Sequence, residues 1–98
     1  MSRAEALQKL KGHAAAIRSM GATSLYIFGS TARDEASEHS DIDLFVDYDP
    51  DSKFSLLDLA DIKLLLEKEL RRTVDITTRD SLNPMMKDDI ERSAVRVF

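Results

Sequence analysis

The sequence predicts an α/β fold, a small mixed β-sheet flanked by helices. Three observations predict it. Segments with apolar residues at helical spacing alternate with short apolar runs of strand length along the chain. Capping and turn residues fall at the boundaries between those segments. The length, 98 residues, fits a single domain spanning 1–98.

The elements follow in order. Residues 2 to about 19 read as one amphipathic helix, because Leu7, Leu10, Ala14 and Ile17 share a face. Gly21 stops it. Leu25-Tyr26-Ile27-Phe28 is a short buried strand. Gly29-Ser30 ends that strand, and Ser30 can cap a short helix through Thr31-Ala32-Arg33. Residues 34–40 are polar and read as a loop.

Residues 42–46 form a second strand, followed by a turn over 48–52 that contains Pro50. Ser55-Leu56-Leu57-Asp58 has capping-box form, with a start nearer Ser52 equally open. The helix that follows runs to about Arg71, with Leu59, Ile62, Leu66 and Leu70 on one stripe. Val74-Asp75-Ile76-Thr77 is a third strand. Asn83-Pro84 opens a last helix through about Arg92, since proline suits a first turn. Residues 94–98 make a final strand or an extended tail. The chain has no internal repeat, low-complexity tract or linker.

Composition narrows the function. Hydrophobic residues make up 43%, which suits a packed fold and argues against disorder. No apolar run has bilayer length, and residues 1–10 lack the apolar core of a signal peptide, so a cytoplasmic location is expected. Without cysteine there is no disulfide framework, thiol nucleophile or cysteine zinc site. A net charge of −4 disfavours nonspecific binding to a nucleic-acid backbone. The acidity is concentrated between residues 34 and 51, which suits either solubility or a divalent metal.

Asp41-Ile42-Asp43 carries the first candidate chemistry. Side chains alternate along a strand, so Asp41 and Asp43 point one way while Ile42, Leu44 and Val46 point into the core. Two carboxylates on one face repel unless solvent or a cation relieves them. Hard cations such as Mg²⁺ prefer such oxygen ligands. Asp75, between Val74 and Ile76, joins the same surface if the second and third strands are adjacent. Three carboxylates could then hold two Mg²⁺ ions for in-line nucleotidyl displacement. Gly29-Ser30 supplies the other half. A strand ending in Gly-Ser before a helix presents backbone N–H groups to phosphate, glycine permits close approach, and Ser30 adds a hydroxyl. Arg33 can reach a terminal phosphate or serve as a surface salt-bridge residue.

Gly29-Ser30-Thr31-Ala32-Arg33, Ser40-Asp41-Ile42-Asp43-Leu44 and Val74-Asp75-Ile76 together resemble the nucleotidyltransferase superfamily that includes DNA polymerase beta. The form resembled most is the minimal nucleotidyltransferase (MNT), often the antitoxin partner of a HEPN-domain toxin. The resemblance runs from the first strand to the C-terminus and includes the Asp80-Ser81-Leu82-Asn83-Pro84 lead-in to the last helix. It implies catalytic and metal-ligating roles for Asp41, Asp43 and Asp75, and nucleotide binding by Gly29, Ser30 and Arg33. It further implies Mg²⁺ as cofactor, ATP as substrate, and AMP transfer to a tyrosine of a HEPN toxin by a type VII-like antitoxin. Two positions depart from the family's pattern. Asp34 stands where the family often has glycine, and Arg71 stands near where glycine often precedes the third strand.

Other readings stand beside these. A non-catalytic antitoxin acting by contact, or a nucleotidyltransferase for small molecules, would use the same fold. A calcium loop starting at Asp41 fails, because Val46 would fall at its glycine and Ser52 at its glutamate. His13 reads as a solvent-facing helix residue and His39 as a loop residue before Asp41. Tyr26 and Tyr48 read as packing or rim residues.

Overall fold

A computed structural model describes residues 1–37 and 39–98; Glu38, inside the expected loop, lies outside the described residues. Helices α1 (Arg3–Lys11) and α2 (Ala14–Ser19) lead into strand β1 (Ala22–Phe28) and a short helix α3 (Gly29–Ala32). Strand β2 (Ile42–Tyr48), helix α4 (Leu56–Leu70) and strand β3 (Val74–Thr78) follow. A 3-10 turn (Arg79–Ser81), helix α5 (Lys87–Ser93) and strand β4 (Val95–Arg96) complete the chain. The sheet order is β3-β2-β1-β4, with β2 and β3 parallel and the other pairs antiparallel. The expected mixed sheet flanked by helices is therefore what forms. A parallel pair needs a long crossover, and α4 supplies it. Among the described residues no helix is long and apolar enough to cross a membrane.

One face of the sheet carries the main core. Leu25 and Ile27 of β1, Ile42, Leu44 and Val46 of β2, and Val74 of β3 pack with Leu10, Ile17, Ile62 and Leu66 from the helices. This burial pins the register, since a slip of one residue would turn every apolar side chain of β2 outward. The opposite face is aromatic. Tyr26 stacks on Phe45 with ring centroids 4.8 Å apart and planes inclined by 13°, and Phe28 lies 5.8 Å from Phe45. Phe45 is fully buried although it alternates with the core-facing residues, so β2 is covered on both faces there.

The first and last helices differ from expectation. The N-terminal helix is two helices, broken at Gly12 and His13. The His13 N–H bonds back to the Leu10 carbonyl at 3.0 Å, a tightened turn, and His13 leaves helical geometry at φ −106°, ψ 9°. Glycine favours such a break by its cost inside a helix. His13 is half-buried at this corner rather than solvent-facing, and Ala14 is only half-buried. The last helix begins at Lys87, not at Asn83-Pro84. The Asn83 side chain accepts from the Met85 N–H at 3.0 Å and its carbonyl accepts from Met86 at 2.9 Å, so residues 83–86 form a turn ahead of the helix. The start of α4 is the capping box, in which the Ser55 N–H donates to the Asp58 carboxylate at 2.9 Å. Ser52 instead closes a turn on the Asp49 carbonyl.

The two departures from the family pattern both sit in left-handed backbone, Asp34 at φ 59° and Arg71 at φ 54°. Asp34 uses its side chain to accept the Arg3 N–H at 2.8 Å, which ties the α3 turn to the start of α1. Arg71 is exposed and forms the C-cap of α4, its N–H on the Glu67 carbonyl at 2.9 Å. A left-handed residue other than glycine costs about 1–2 kcal/mol, of which glycine's extra unfolded freedom returns roughly 0.5–1. Arg71→Gly is therefore expected to stabilise the fold by about 0.5–1 kcal/mol, raising Tm by roughly 2–6 °C. Thermal denaturation followed by circular dichroism checks this; a lowered Tm would refute the strain assigned to Arg71.

Candidate active site

The site candidates gather where β1 ends and β2 and β3 begin. Phe28 pairs with Asp43 across β1 and β2, and Asp43 pairs with Asp75 across β2 and β3. Phe28, Asp43 and Asp75 thus form one row across three neighbouring strands, which lie about 4.8 Å apart. The adjacency of the second and third strands, conditional in the sequence, is met. Paired residues share a face, so the Asp75 carboxylate stands on the Asp43 side of the sheet. Asp41 lies just ahead of β2 and is exposed, as is Asp75, while Asp43 is half-buried.

Gly29 follows Phe28 and approaches Asp43 closely. Its φ of 70° is left-handed, and a Cβ there would run into the Asp43 carboxylate, with Cγ at 3.3 Å. Both facts call for glycine. Ser30 follows, half-buried, as the second residue of α3 rather than its expected cap: the helix starts at Gly29, with Phe28 at the N-cap and no side-chain cap bond. Arg33 closes that turn. Its Nε pairs with Glu35 Oε2 at 3.1 Å on an exposed surface, so the salt-bridge reading of this residue holds. Its charge also reaches Asp43.

The Asp43 carboxyl is held above the ordinary carboxylate range. Burial is the main cause, followed by the charges of Asp75 and then Asp41, with Arg33 opposing them. These hard oxygen donors with mutual repulsion suit a divalent cation better than they suit each other. Among the described residues, though, no three His, Cys, Asp or Glu side chains are gathered closely enough to form a finished metal cage. The carboxylates share one end of the sheet and one field.

A cleft of about 280 Å³ opens over this end, lined by Phe28, Gly29, Arg33 and Asp43 on one side and Met86, Asp89, Ile90 and Ser93 on the other. The wall from α5 was not legible in the sequence, which located the last helix but gave no sign of what it faces. A larger hollow of about 430 Å³, between Tyr48, Phe54 and Thr78, lies at the far end of the parallel strands from Asp43. His39 is exposed and shares a shallow cleft with Asp41, Arg71 and Thr73. Tyr26 packs on Phe45, and the Tyr48 hydroxyl donates to Asp80 at 2.8 Å. The calcium-loop geometry is excluded, because residues 42–48 are strand and Val46 is buried.

The model of the nucleotidyltransferase domain family matches residues 9–97. The chain is 46% identical over 72 residues to a Methanocaldococcus jannaschii protein named "Putative protein adenylyltransferase MJ0435", covering 74% of this chain and 75% of that relative. It is similar to a solved structure described as "putative minimal nucleotidyltransferase", with 36% identity, a TM-score of 0.74 and coverage of 97% and 95% of the two chains. It also shares its fold with a chain of the complex between tri-AMPylated Shewanella oneidensis HEPN toxin and MNT antitoxin. There the identity is 16%, the TM-score 0.66, and coverage 94% of this chain and 71% of that one.

Two outcomes follow from the geometry. Gly29→Ala is expected to destabilise the fold by about 1–3 kcal/mol, because the left-handed backbone becomes strained and the Asp43 carboxylate must move. Chemical denaturation measures it, and an unchanged midpoint would remove the close approach as a constraint. Asp43→Asn is expected to raise Tm at neutral pH. A carboxyl whose folded pKa is raised favours folding most below its unfolded value, near 3.9, and loses that contribution as pH rises through the folded value. The gain from the neutral amide should therefore be present at pH 7 and shrink towards pH 3.5; a gain independent of pH would contradict the electrostatic cause.

Proposed function

The chain belongs to the nucleotidyltransferase domain family, and from that premise we propose that it transfers AMP from ATP to a tyrosine hydroxyl of a HEPN-family toxin, as that toxin's antitoxin. In this reaction the acceptor oxygen forms a bond to the α-phosphorus as the bond to the leaving pyrophosphate breaks. The acceptor proton passes to solvent. The observation that carries the reading is the row Phe28–Asp43–Asp75, which sets the Gly29 turn, a half-buried carboxylate and an exposed carboxylate side by side across the sheet.

Gly29 and Ser30 hold the outer phosphates with backbone N–H groups and a hydroxyl, and Arg33 exchanges Glu35 for a phosphate oxygen. Asp41 and Asp43 would hold Mg²⁺, and Asp75 would complete the site on the acceptor side. Bound Mg²⁺ would supply neutralisation of the triphosphate and a lowered pKa for the acceptor hydroxyl. The protein's own contribution is positioning and fixed charge. Asp75 is exposed at the sheet edge, so a hydroxyl presented by a separate macromolecule can reach it. The name of the M. jannaschii relative supports AMP as the transferred group and a protein as acceptor. The fold shared with the chain from the HEPN–MNT complex supports the toxin as partner. The proposed location is the cytoplasm.

The test uses α-labelled ATP, Mg²⁺ and the product of the neighbouring gene. Label is expected on a tyrosine of that product. Chelation of Mg²⁺ should abolish it, and Asp41→Asn or Asp43→Asn should slow it by about a hundredfold or more, above the usual cost of losing a ligand's supporting hydrogen bond. Full neutralisation of the partner by those variants with no label transferred would replace the enzyme with an antitoxin that acts by contact.

A further inference from the structure

Helix α5 forms one wall of the cleft over Asp43, yet no residue of α5 is fully buried. Apolar packing alone is a weak seat for a seven-residue helix. A side chain from outside α5 also reaches it. Arg79, in the 3-10 turn after β3, donates from Nε to Asp47 Oδ1 at 2.7 Å and from Nη2 to Asp47 Oδ2 at 3.0 Å. Its Nη1 lies 3.4 Å from Glu91 Oε2 on α5. The guanidinium rests on the aromatic face of the sheet, 4.8 Å from the Tyr26 ring centre and 4.9 Å from that of Phe45.

Asp43, Phe45 and Asp47 alternate along one face of β2. Arg79 therefore grips the strand that carries Asp43, two positions beyond Phe45, and reaches across to the helix opposite it. We infer that Arg79 is a positioning residue for the cleft: it is a strut between Asp47 and Glu91 that fixes α5, and with it Met86 and Ile90, at a set distance from Gly29 and Asp43. The catalytic consequence rests on the function proposed above; the structural one does not.

The chemistry favours arginine. One guanidinium meets the Asp47 carboxylate with two parallel bonds and still has a third nitrogen for Glu91, with its flat face on the rings. A lysine ammonium can satisfy one carboxylate and cannot stack in the same way. Without the cation, Asp47 and Glu91 face each other across an aromatic floor, and repulsion lifts the helix. Lys87 also pairs with Glu91, at 3.9 Å, but from within α5, so it cannot anchor α5 to the sheet.

Glu91→Ala separates the strut from the fold. It leaves the Arg79–Asp47 pair in place and puts a better helix former into α5. Hydrogen exchange across the whole chain is the first readout. Amides of residues 87–93 are expected to exchange about tenfold or more faster in Glu91→Ala and in Arg79→Met, with β1 and β2 unchanged in Glu91→Ala. The second readout is AMP transfer at saturating ATP, where kcat should fall about tenfold in Glu91→Ala with KM for ATP within about threefold, since misplacement by a fraction of an ångström is costly to rate. Glu91→Gln, which keeps an acceptor for the guanidinium, should recover part of both losses. Unchanged α5 exchange in Glu91→Ala overturns the strut. Faster exchange with wild-type kcat overturns its catalytic consequence. A wild-type chain that transfers nothing defeats the functional reading instead, and the exchange result then decides the strut alone.

Discussion

The contact on which the candidate site depends is the approach of Gly29 to the Asp43 carboxylate. It requires the end of β1 to lie against the start of β2 with no side chain between them. Nothing at the contact itself is attractive, since a carboxylate kept partly from water beside two other carboxylates is an unfavourable neighbour. The contact is held by the other face of the same strands. Leu25, Ile27, Ile42, Leu44 and Val46 are buried against the helices, and their burial fixes the register that brings Gly29 and Asp43 together. The core thus supports an arrangement of charge that would not assemble by itself.

The sheet divides its work between its faces. The apolar face is covered by α1, α2 and α4 and supplies the stability. The other face begins with Asp43, passes through the Tyr26, Phe28 and Phe45 rings, and ends in Asp47 beneath Arg79. The Asp47 hydrogen bonds raise the guanidinium's pKa above its ordinary value, so it is cationic at any working pH. The two acids of β2 on that face thus meet partners of opposite sign. Asp47 is matched by a permanent cation from the protein. Asp43 meets mostly like charge, the situation in which an external cation is most useful.

Much of this was legible in the sequence because it is local. Gly29-Ser30 after an apolar run, Asp41 and Asp43 two apart on a strand, and Asp75 between Val74 and Ile76 are patterns of spacing, and spacing survives folding. The break at Gly12 was not read, because the apolar face carries through it from Leu10 to Ile17 and hides the change of direction. The burial of Phe45 and the contacts of Arg79 leave no local signal, because their partners lie far away along the chain. Arg79 meets Asp47 across 32 positions, and no periodicity marks such a pair. The departures at Asp34 and Arg71 carried a usable signal. Both turns keep a left-handed backbone without glycine; at Asp34 the side chain accepts the Arg3 N–H, and at Arg71 the backbone carries the strain.

Asp75 has a second consequence through its address. It lies on β3, an edge strand of the sheet, which among the described residues pairs with β2 alone. An open edge is a template on which another chain can add a strand, and an exposed charge is among the simplest guards against that. The carboxylate proposed for the metal surface is thus also an exposed charge on an open sheet edge. A change made to silence the chemistry at Asp75 therefore also takes a charge from that edge, where charge opposes strand addition.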